Sequence, residues 1–385
     1  MSPPQYTFLA TDLVTNIVLG ELPVNGVTLD GQLNSAGNMG CSANLDDPRI
    51  DNAELLARTT PGRTAFWAYR ENTIVWGGVI WTREYDSVAG NSAAAGGNTK
   101  TLALTGQTFE SYAARRFPRS WLSTSVTNYN QGQISIIDDL WRQLQSVPNG
   151  SIGVQPFGSY PANDTVRQLT VNGWDLSTSV DALIQNVIAF SDGPDYTVTW
   201  TEDGNGLPLK QLQLGVPIGN PITTTDLVLD YPGGVSTYSY IENASTGANQ
   251  WWATGDGSDA TTTAGVATDQ NVLNSGWPLL EGVNNFSGVT DQSIISKLAQ
   301  DELQNFPTLD TTYALTLAGN ALPEFGSYGM GDFVTVNVQD PRFPFGAQFN
   351  IRIIGWSIIP PDTSNGTEQV TPVLFVPPVP AIPTS

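Results

Sequence analysis

Apolar patches separated by Asn, Gly and Pro recur along the chain, a pattern typical of short β-strands joined by turns. In the stretch 196–201, apolar and polar residues alternate, which indicates a strand with one buried and one solvent-facing side. Two hairpins are predicted most directly. One joins Thr64–Arg70 to Thr73–Trp81 through a two-residue turn, and the other joins Tyr196–Thr201 to a strand at 207–214 through a glycine-rich turn. Further strands are predicted at 6–9, 17–22, 26–29, 101–106, 313–319, 333–338, 349–356 and 370–376.

The strand at 73–81 is apolar on both faces, so we expect it to be covered on both, as in a small barrel packed against a neighbour. Gly77 and Gly78 at its centre predict a bulge or a sharp corner. The sequence Gly78-Val-Ile-Trp81 is echoed near the other end of the chain by Ile353-Ile-Gly-Trp356. This short echo is compatible with two small barrels, one near each end.

Three segments carry apolar residues at spacings of three and four, which predicts helices with one buried face. The first is expected to begin at a Ser135 cap and to run over Ile136–Val147. The second covers Val180–Phe190. The third is expected to be capped by Thr290 and to run over Asp291–Phe306, before a proline.

These elements predict a mainly β protein with an α+β insertion, in which two small β-barrels flank α+β domains. The segment from Gly255 to Thr268 consists almost wholly of Gly, Asp, Ser, Thr and Ala, and is expected to be a long mobile loop; the tract 89–98 is expected to be flexible. The predicted domains are an N-terminal β-barrel domain at 1–113, an α+β domain at 114–232, a linking domain with the long loop and a helix at 233–308, a C-terminal β-barrel domain at 309–376 and a proline-rich tail at 377–385.

Histidine is absent from the 385 residues, and cysteine occurs once, at Cys41. These two counts exclude Ser-His-Asp and Cys-His catalysis, an imidazole ligand for zinc, a cysteine zinc cluster and an intrachain disulfide. Only 13% of the residues are charged, against about 25% in a typical domain, so uncharged polar side chains and glycine must cover much of the surface. We predict no metal and no cofactor, and do not expect an enzyme.

Glycoside hydrolysis by two carboxylates is the one catalytic scheme that this composition permits, because it needs neither histidine nor a metal. The sequence singles out no pair of carboxylates for that role. Asp46-Asp47 before a proline predicts a turn, and Asp138-Asp139 is assigned to the first turn of the first helix, where the helix dipole favours negative charge. Structural interpretations are therefore preferred for both pairs.

Two adjacent tryptophans, Trp251 and Trp252, precede the glycine-rich segment. Neighbouring side chains in a strand point to opposite faces, so we favour one tryptophan in the core and the other under the loop. The alternative is an exposed residue that contacts another subunit or a carbohydrate, since tryptophan offers a large apolar area with a polar tip.

Acidic residues outnumber basic ones by 36 to 15, which gives a formal charge of −21 and a pI near 4.1. Direct binding of nucleic acid is disfavoured, because clustered lysine and arginine are needed to neutralise phosphates; the same charge suits a surface past which DNA slides. Residues Met1 to Thr15 lack a signal-peptide pattern, and the most apolar stretch, Ile74–Trp81, is far shorter than the roughly 20 residues of a membrane span. Synthesis in a cytoplasm is therefore expected.

Three N-terminal segments, Asp12–Val27, Pro61–Tyr69 and Val75–Arg83, together resemble the minor tail proteins of long-tailed phages that infect actinobacteria. The segment Gly329-Met-Gly-Asp-Phe-Val-Thr-Val336, which follows the helix at 291–306, is similar to the second barrel of tailed-phage baseplate hub proteins. The resemblance reaches both ends and the middle helices, and so covers most of the chain.

The resemblance implies a homotrimeric ring at the distal end of a tail tube, with paired barrels forming a pseudo-sixfold collar. Such a hub joins the tube to tip or fibre proteins and gates DNA release, with a distal tail ring protein and a tape measure protein as further partners. DNA would pass through the lumen without specific binding, in a virion tail assembled in the host cytoplasm. The alternatives are the distal tail ring itself, a carbohydrate-binding tail-tip adhesin and, less favoured, a two-carboxylate cell-wall glycosidase.

Overall fold

The chain forms two compact units. The computed structural model describes residues 3–88, 99–161, 163–190, 192–219, 227–255, 263–286, 289, 291–318, 324–361 and 366–375. Unit 1 comprises residues 1–188, 194–238 and 315–377, and unit 2 comprises 189–193, 239–314 and 378–385. The flexible tract expected at 89–98 and the proline-rich tail at 377–385 lie outside the described residues, and the four domain boundaries proposed from the sequence stay predictions.

Strands make up most of the regular structure. They are β1 Tyr6–Asp12, β2 Val18–Glu21, β3 Asn25–Gln32, β4 Asn38–Asn44, β5 Thr64–Arg70, β6 Thr73–Val88, β7 Thr99–Thr108, β8 Val126–Gly132, β9 Val154–Gln155, β10 Val166–Asn172, β11 Asp195–Glu202, β12 Pro208–Gly215, β13 Val228–Tyr231, β14 Val235–Asn243, β15 Gln250–Thr254, β16 Ala264–Thr268, β17 Glu281–Asn285, β18 Asp310–Ala318, β19 Phe333–Val338, β20 Ala347–Ile359 and β21 Gln369–Phe375. The helices are α1 Asn52–Arg58, α2 Arg119–Leu122, α3 Gln133–Ser146, α4 Val180–Ile188, α5 Gln270–Asn274, α6 Gln292–Asn305 and one 3₁₀ helix, η1, at Phe109–Arg115. The predicted mainly β architecture with an α+β insertion is confirmed. None of the described helices has the length and apolarity to cross a bilayer.

Strands from both ends of the chain join one large sheet. Its order is β14-β18-β21-β20-β3-β4-β7-β6-β5-β1-β2, with β13 and β19 attached beside β20. The two ends meet where β20 pairs antiparallel with β3, and Trp356 lies opposite Gly31. Over the described residues this path of pairings does not close on itself, so closure into two separate barrels stays a prediction.

The first predicted hairpin is present as β5 and β6, but its two glycines do not form the bulge. The register shifts lie on either side of them, at Val75 and at Trp81. A Cβ on Gly77 would come within 2.5 Å of the Trp67 ring. The glycine pair is therefore required for close packing rather than for a corner.

Helix α3 begins earlier than the sequence predicts, because its cap comes from elsewhere in the chain. Its N-cap residue is Gly132, and the predicted cap, Ser135, lies inside the first turn. The amide of Ile134 donates to the Asp164 carboxylate at 3.0 Å. A side chain 30 positions away thus satisfies the exposed end of the helix.

Unit 2 contains a three-stranded sheet of order β16-β15-β17, on which α6 packs. The expected mobile loop is wrong over its last five residues, which form β16 antiparallel to β15; residues 256–262 lie outside the described part. A Cβ on Gly265 would come within 2.8 Å of the Ser296 backbone in α6. The small residues of β16 are therefore explained by the closeness of the helix. The cap of α6 is Asp291, whose carboxylate accepts from the Ser293 amide at 2.7 Å, rather than the predicted Thr290.

Candidate assembly surfaces

Two three-stranded assemblies in the large sheet repeat one design. In β5-β6-β7 and in β19-β20-β21, a long central strand pairs first with the strand before it and then with the strand after it. The central strands have 16 and 13 residues. Each carries a one-residue register shift, at Trp81 in β6 and at Ile354 in β20. The echo seen between 78–81 and 353–356 marks these shifts, so one chain presents two similar strand assemblies.

A buried ion pair ties the second assembly to the first. Arg70, at the end of β5, donates to Glu368 through Nε at 2.7 Å and through Nη2 at 3.0 Å. The two side chains are 13% and 1% exposed. The hydroxyl of Tyr6 donates to the same carboxylate at 2.5 Å, and burial is the main cause that raises the pKa of this tyrosine. Such a bidentate pair fixes the relative position of the strands that carry it.

A buried carboxylate joins the N-terminal strands to the α+β insertion. Glu110 accepts from the Thr197 hydroxyl at 2.9 Å and from the Val198 amide at 2.5 Å. Burial raises the pKa of this carboxyl. Because all three residues lie in the core, Glu110 is a structural group and does not face solvent.

A buried lysine makes a second connection within unit 1. The Lys210 ammonium donates to the carbonyls of Leu13 at 2.9 Å and Ile152 at 2.7 Å, and lies 5.2 Å from the centre of the Phe109 ring. Desolvation lowers the pKa of Lys210 to about 8. The three contacts belong to distant segments, which the single side chain holds together.

The carboxylates considered for chemistry have structural partners. Asp138 lies in the second turn of α3, so its assignment to the first turn is wrong. It is fully buried, binds Arg142 at 2.8 Å, accepts from the Phe157 amide at 2.9 Å and also accepts from the Tyr160 hydroxyl. Asp139 accepts from the Gln131 side chain at 2.7 Å. Because Asp138 is buried, the two carboxylates do not form a solvent-accessible pair that could act on a sugar.

The described residues hold no group of three or more acidic or cysteine side chains arranged to bind a metal ion. The Cys41 thiol is buried, and burial raises its pKa to about 12. A neutral buried thiol is a poor nucleophile and a poor ligand.

The tryptophan pair lies in β15, the central strand of the unit 2 sheet. Trp251 is 9% exposed, packs against Phe306 with ring centres 5.5 Å apart, and donates to the Phe306 carbonyl at 3.2 Å. Trp252 is half-buried on the opposite face, where its indole donates to Glu281 at 3.1 Å. Contact of either tryptophan with a subunit or a glycan stays a prediction.

Two exposed valines lie on either side of Trp252 and form an apolar row with it across the sheet. Val266 of β16 and Val283 of β17 lie directly opposite it in the register, and they are 47% and 67% exposed. On the same face, Gln250 donates to Glu281 at 3.1 Å. This face of the sheet therefore combines an apolar row with adjacent amide and carboxylate groups.

Sequence reasoning missed three exposed apolar residues in loops of unit 1, two of them aromatic. Trp174 is 58% exposed, Leu176 is 65% exposed and Phe345, in the loop between β19 and β20, is fully exposed. No periodic pattern marks them, because they lie in loops. The sequence signal for Trp174 and Phe345 is an aromatic residue beside glycine, proline or aspartate, and this pattern is also common in loops that pack inward.

No protein-family model and no curated protein sequence matches the chain. The 43 kDa tail protein of prophage MuSo2 from Shewanella oneidensis is 11% identical, with a TM-score of 0.63 over 96% of this chain and 98% of that one. A tail protein from Neisseria meningitidis MC58 is also 11% identical, with a TM-score of 0.53 over 96% of both chains. The lidded PdpA–VgrG complex of Francisella is 10% identical, with a TM-score of 0.53 over 97% of this chain and 54% of the matched one. At these identities the likeness concerns the fold: over almost its whole length, this chain has the fold of prophage tail proteins.

Proposed function

We propose that this chain is a structural hub protein at the distal tip of a phage tail, in a long-tailed phage that infects actinobacteria. The observation that carries the proposal is the likeness to a prophage tail protein over 96% of this chain and 98% of that one. The match uses nearly all of both chains, which supports a structural role of the same kind for this chain. The host range rests on the N-terminal sequence resemblance.

Three copies are proposed to form a ring. Each chain carries two similar strand assemblies, β5-β6-β7 and β19-β20-β21, so three chains would place six around an axis. A ring of this kind suits the junction between a sixfold tube and a threefold tip. The distal tail ring protein and the tape measure protein would adjoin it on one side, and tip or fibre proteins on the other.

The charge of the chain supports a passage for DNA. Three copies would carry a formal charge three times the −21 of one chain. Acidic groups along a lumen repel phosphates and prevent DNA from sticking. The ring would therefore let the genome pass without binding it, and gate its release.

The oligomeric state of the purified protein tests this proposal. Mass photometry and chemical crosslinking should show a trimer, and electron microscopy of tails labelled with an antibody to this chain should place it at the distal tip. A hexamer would instead indicate the distal tail ring. A strict monomer together with labelling elsewhere in the virion would overturn the hub assignment.

A second function, contact with a glycan, is favoured by the face around Trp252. An indole flanked by amide and carboxylate groups matches the chemistry of a sugar ring, which offers an apolar face and hydroxyls. Binding of host cell-wall polysaccharide should then be lost in Trp252→Ala and kept in Phe345→Ala, the control at a fully exposed aromatic residue of unit 1. Equal binding by all three proteins would rule this function out for that face.

A further inference from the structure

One stretch of the sequence departs from the acidic character of the rest. Between Glu110 and Asp138 there are three arginines, Arg115, Arg116 and Arg119, and no carboxylate. The remainder of the chain has 12 basic residues against 36 acidic ones. A positive segment in such a chain is the natural place to look for an electrostatic contact.

The fold brings a second loop against this segment. The carbonyl of Ser125 accepts from the Gly173 amide at 2.8 Å, and the carbonyl of Arg116 accepts from the Val180 amide at 2.9 Å. The loop between Gly173 and Val180 is thus held beside α2 at both of its ends. Both segments belong to unit 1.

Exposed apolar side chains accompany the arginines on this part of the surface. Phe117 is 37% exposed, Trp174 is 58% exposed and Leu176 is 65% exposed. Exposed apolar residues that cluster are typical of interaction surfaces. We use the term basic face for five residues: Arg115, Phe117, Arg119, Trp174 and Leu176.

The arginines of the basic face are free to bind an outside carboxylate. Within the described part of the chain, no carboxylate oxygen lies within 4 Å of Arg115 or Arg119. The Arg115 guanidinium lies 5.4 Å from the centre of the Trp81 ring, which restricts its position without neutralising it. Asp175, between Trp174 and Leu176, keeps its negative charge, but its oxygens are directed to its own loop, where they accept from the Ser177 amide at 2.8 Å and from the Thr178 hydroxyl at 2.6 Å.

The chemistry of the basic face indicates an acidic protein partner. Tryptophan and arginine are the residue types that contribute most at protein interfaces. Nucleic acid is disfavoured, because three arginines cannot offset the repulsion between phosphates and a chain with 36 acidic residues. A second copy of this chain offers an excess of carboxylates, with 36 acidic residues against 15 basic ones.

We propose that the basic face binds a carboxylate-bearing surface of the neighbouring copy in the ring. The contact is heterologous, since a positive surface on one copy meets a negative surface on the next, and heterologous contacts of this kind close into rings when the rotation permits. This contact rests on the proposed hub function, in which the five residues of the basic face would join each copy to the next.

Charge reversal tests the proposal in the full-length protein. In Arg115→Glu/Arg119→Glu, mass photometry is expected to show monomers at concentrations where the unaltered chain forms rings. The matched control is Arg49→Glu/Arg63→Glu, which makes the same change in net charge at side chains that are 86% and 76% exposed. This control is expected to assemble normally. Circular dichroism of each variant shows whether the fold is retained.

A second variant tests the same contact without changing the charge of the chain. Trp174→Ala is expected to weaken ring assembly about 30-fold, the effect of losing one interface residue of the strongest class. Assembly of the unaltered chain should also weaken as salt is raised, because the contact is electrostatic.

The outcomes separate this inference from the hub function. If the charge-reversed chain is folded and assembles like the unaltered chain, the basic face is not the contact, while the ring stands. If it assembles normally but no longer binds another tail protein, the partner is that protein and the inference is overturned. If the unaltered chain is monomeric at every concentration, the ring and this contact both fail.

Discussion

The two units of this chain differ in how their cores are built. The largest fully buried side chains of unit 1 are aromatic and include Trp67, Trp76 and Trp141. In unit 2, the buried residues between α6 and its sheet are three alanines and one isoleucine, Ile295, and the larger apolar side chains packed against them are only partly buried. Since buried apolar area sets the stabilisation, unit 1 is expected to be the rigid framework and unit 2 the part that opens first.

The units differ in their polar contacts as well. The buried Glu110 of unit 1 joins η1 to β11. The buried Lys210 joins β12 to the distant segments at Leu13 and Ile152. The described contacts around Trp252 in unit 2 join neighbouring strands near the surface. Unit 1 is therefore held together by contacts between segments that are far apart in the sequence, and substitutions in the two units are expected to differ in their effects.

The largest effect is expected from the aromatic core of unit 1. Trp67 is fully buried, donates to the Thr11 hydroxyl at 3.0 Å and packs 5.1 Å from the centre of the Phe109 ring. Trp67→Ala leaves a large cavity and removes the hydrogen bond that the Thr11 hydroxyl accepts, so the free energy of unfolding should fall by about 3–5 kcal/mol. Urea unfolding followed by circular dichroism measures it.

The control for this prediction is the same substitution in unit 2. Trp252 is half-buried at the surface of its sheet, so Trp252→Ala should leave the main unfolding transition nearly unchanged. Equal losses in both variants would show that the two units do not differ in the way described.

The parts of this fold that the sequence predicted are those determined locally. The hairpin of β11 and β12 joins residues close in the chain, and its alternation of apolar and polar residues is sufficient to place it within one or two residues. Even there, Thr197 lies at a polar position of the alternation but is buried, because Glu110 of another segment accepts a hydrogen bond from its hydroxyl. Long-range partners are invisible to local patterns.

The other differences between the predicted and the observed structure also arise from contacts with segments that are distant in the sequence. Asp164 caps α3 from 30 residues away, and β16 resembles a loop because a helix lies too close to its strand for larger side chains. Of the candidate contact residues, the sequence identified Trp252 but not Trp174, since exposure in a loop depends on the neighbouring segments. The charge gap between Glu110 and Asp138 was visible in the sequence, but its meaning depends on the loop placed beside it.

The buried ion pair of unit 1 is expected to give the next largest effect. Glu368→Gln removes the negative charge that faces the buried Arg70. An unpaired buried charge is costly, so the free energy of unfolding should fall by about 3 kcal/mol. Unfolding in guanidinium chloride measures the change in free energy, with sodium chloride added so that the ionic strength is the same at every denaturant concentration.

A double variant separates the charge from the packing. In Arg70→Met/Glu368→Met both charges are gone, and most of the lost stability should return, because apolar side chains fill the space without the desolvation cost. A double variant less stable than Glu368→Gln would show that the hydrogen bonds, including that of Tyr6, matter more than the unpaired charge.

The buried lysine of unit 1 predicts a dependence of stability on pH. The pKa of Lys210 is lowered from 10.5 to about 8 by desolvation, so between these values the unfolded chain binds more protons than the folded one. Stability therefore rises with pH in that window. The gain from pH 8 to pH 9.5 is about 1.5 kcal/mol for a shift of this size.

Comparison with Lys210→Met isolates this contribution. Other groups titrate in the same range, and Tyr69, whose pKa is raised to about 12 mainly by burial, opposes the gain once unfolded tyrosines ionise. The difference in unfolding free energy between the two proteins, measured by urea unfolding from pH 7 to 9.5, should change in the stated direction. A difference that is constant with pH would mean that Lys210 is not desolvated.

The smallest effect is expected in unit 2, and its location matters more than its size. Ile295 is fully buried against Ala253 and Ala267, so Ile295→Val should cost about 0.5–1.5 kcal/mol. If unit 2 opens on its own, hydrogen exchange should speed up in β15, β16 and α6 and stay unchanged in β5 and β6 of unit 1. The neighbouring Ile294, 47% exposed, supplies the control. Ile294→Val should leave both the stability of unit 2 and its hydrogen exchange unchanged. Faster exchange throughout the chain would mean that both units open together, because a single cooperative unit spreads a local loss over all of its amides.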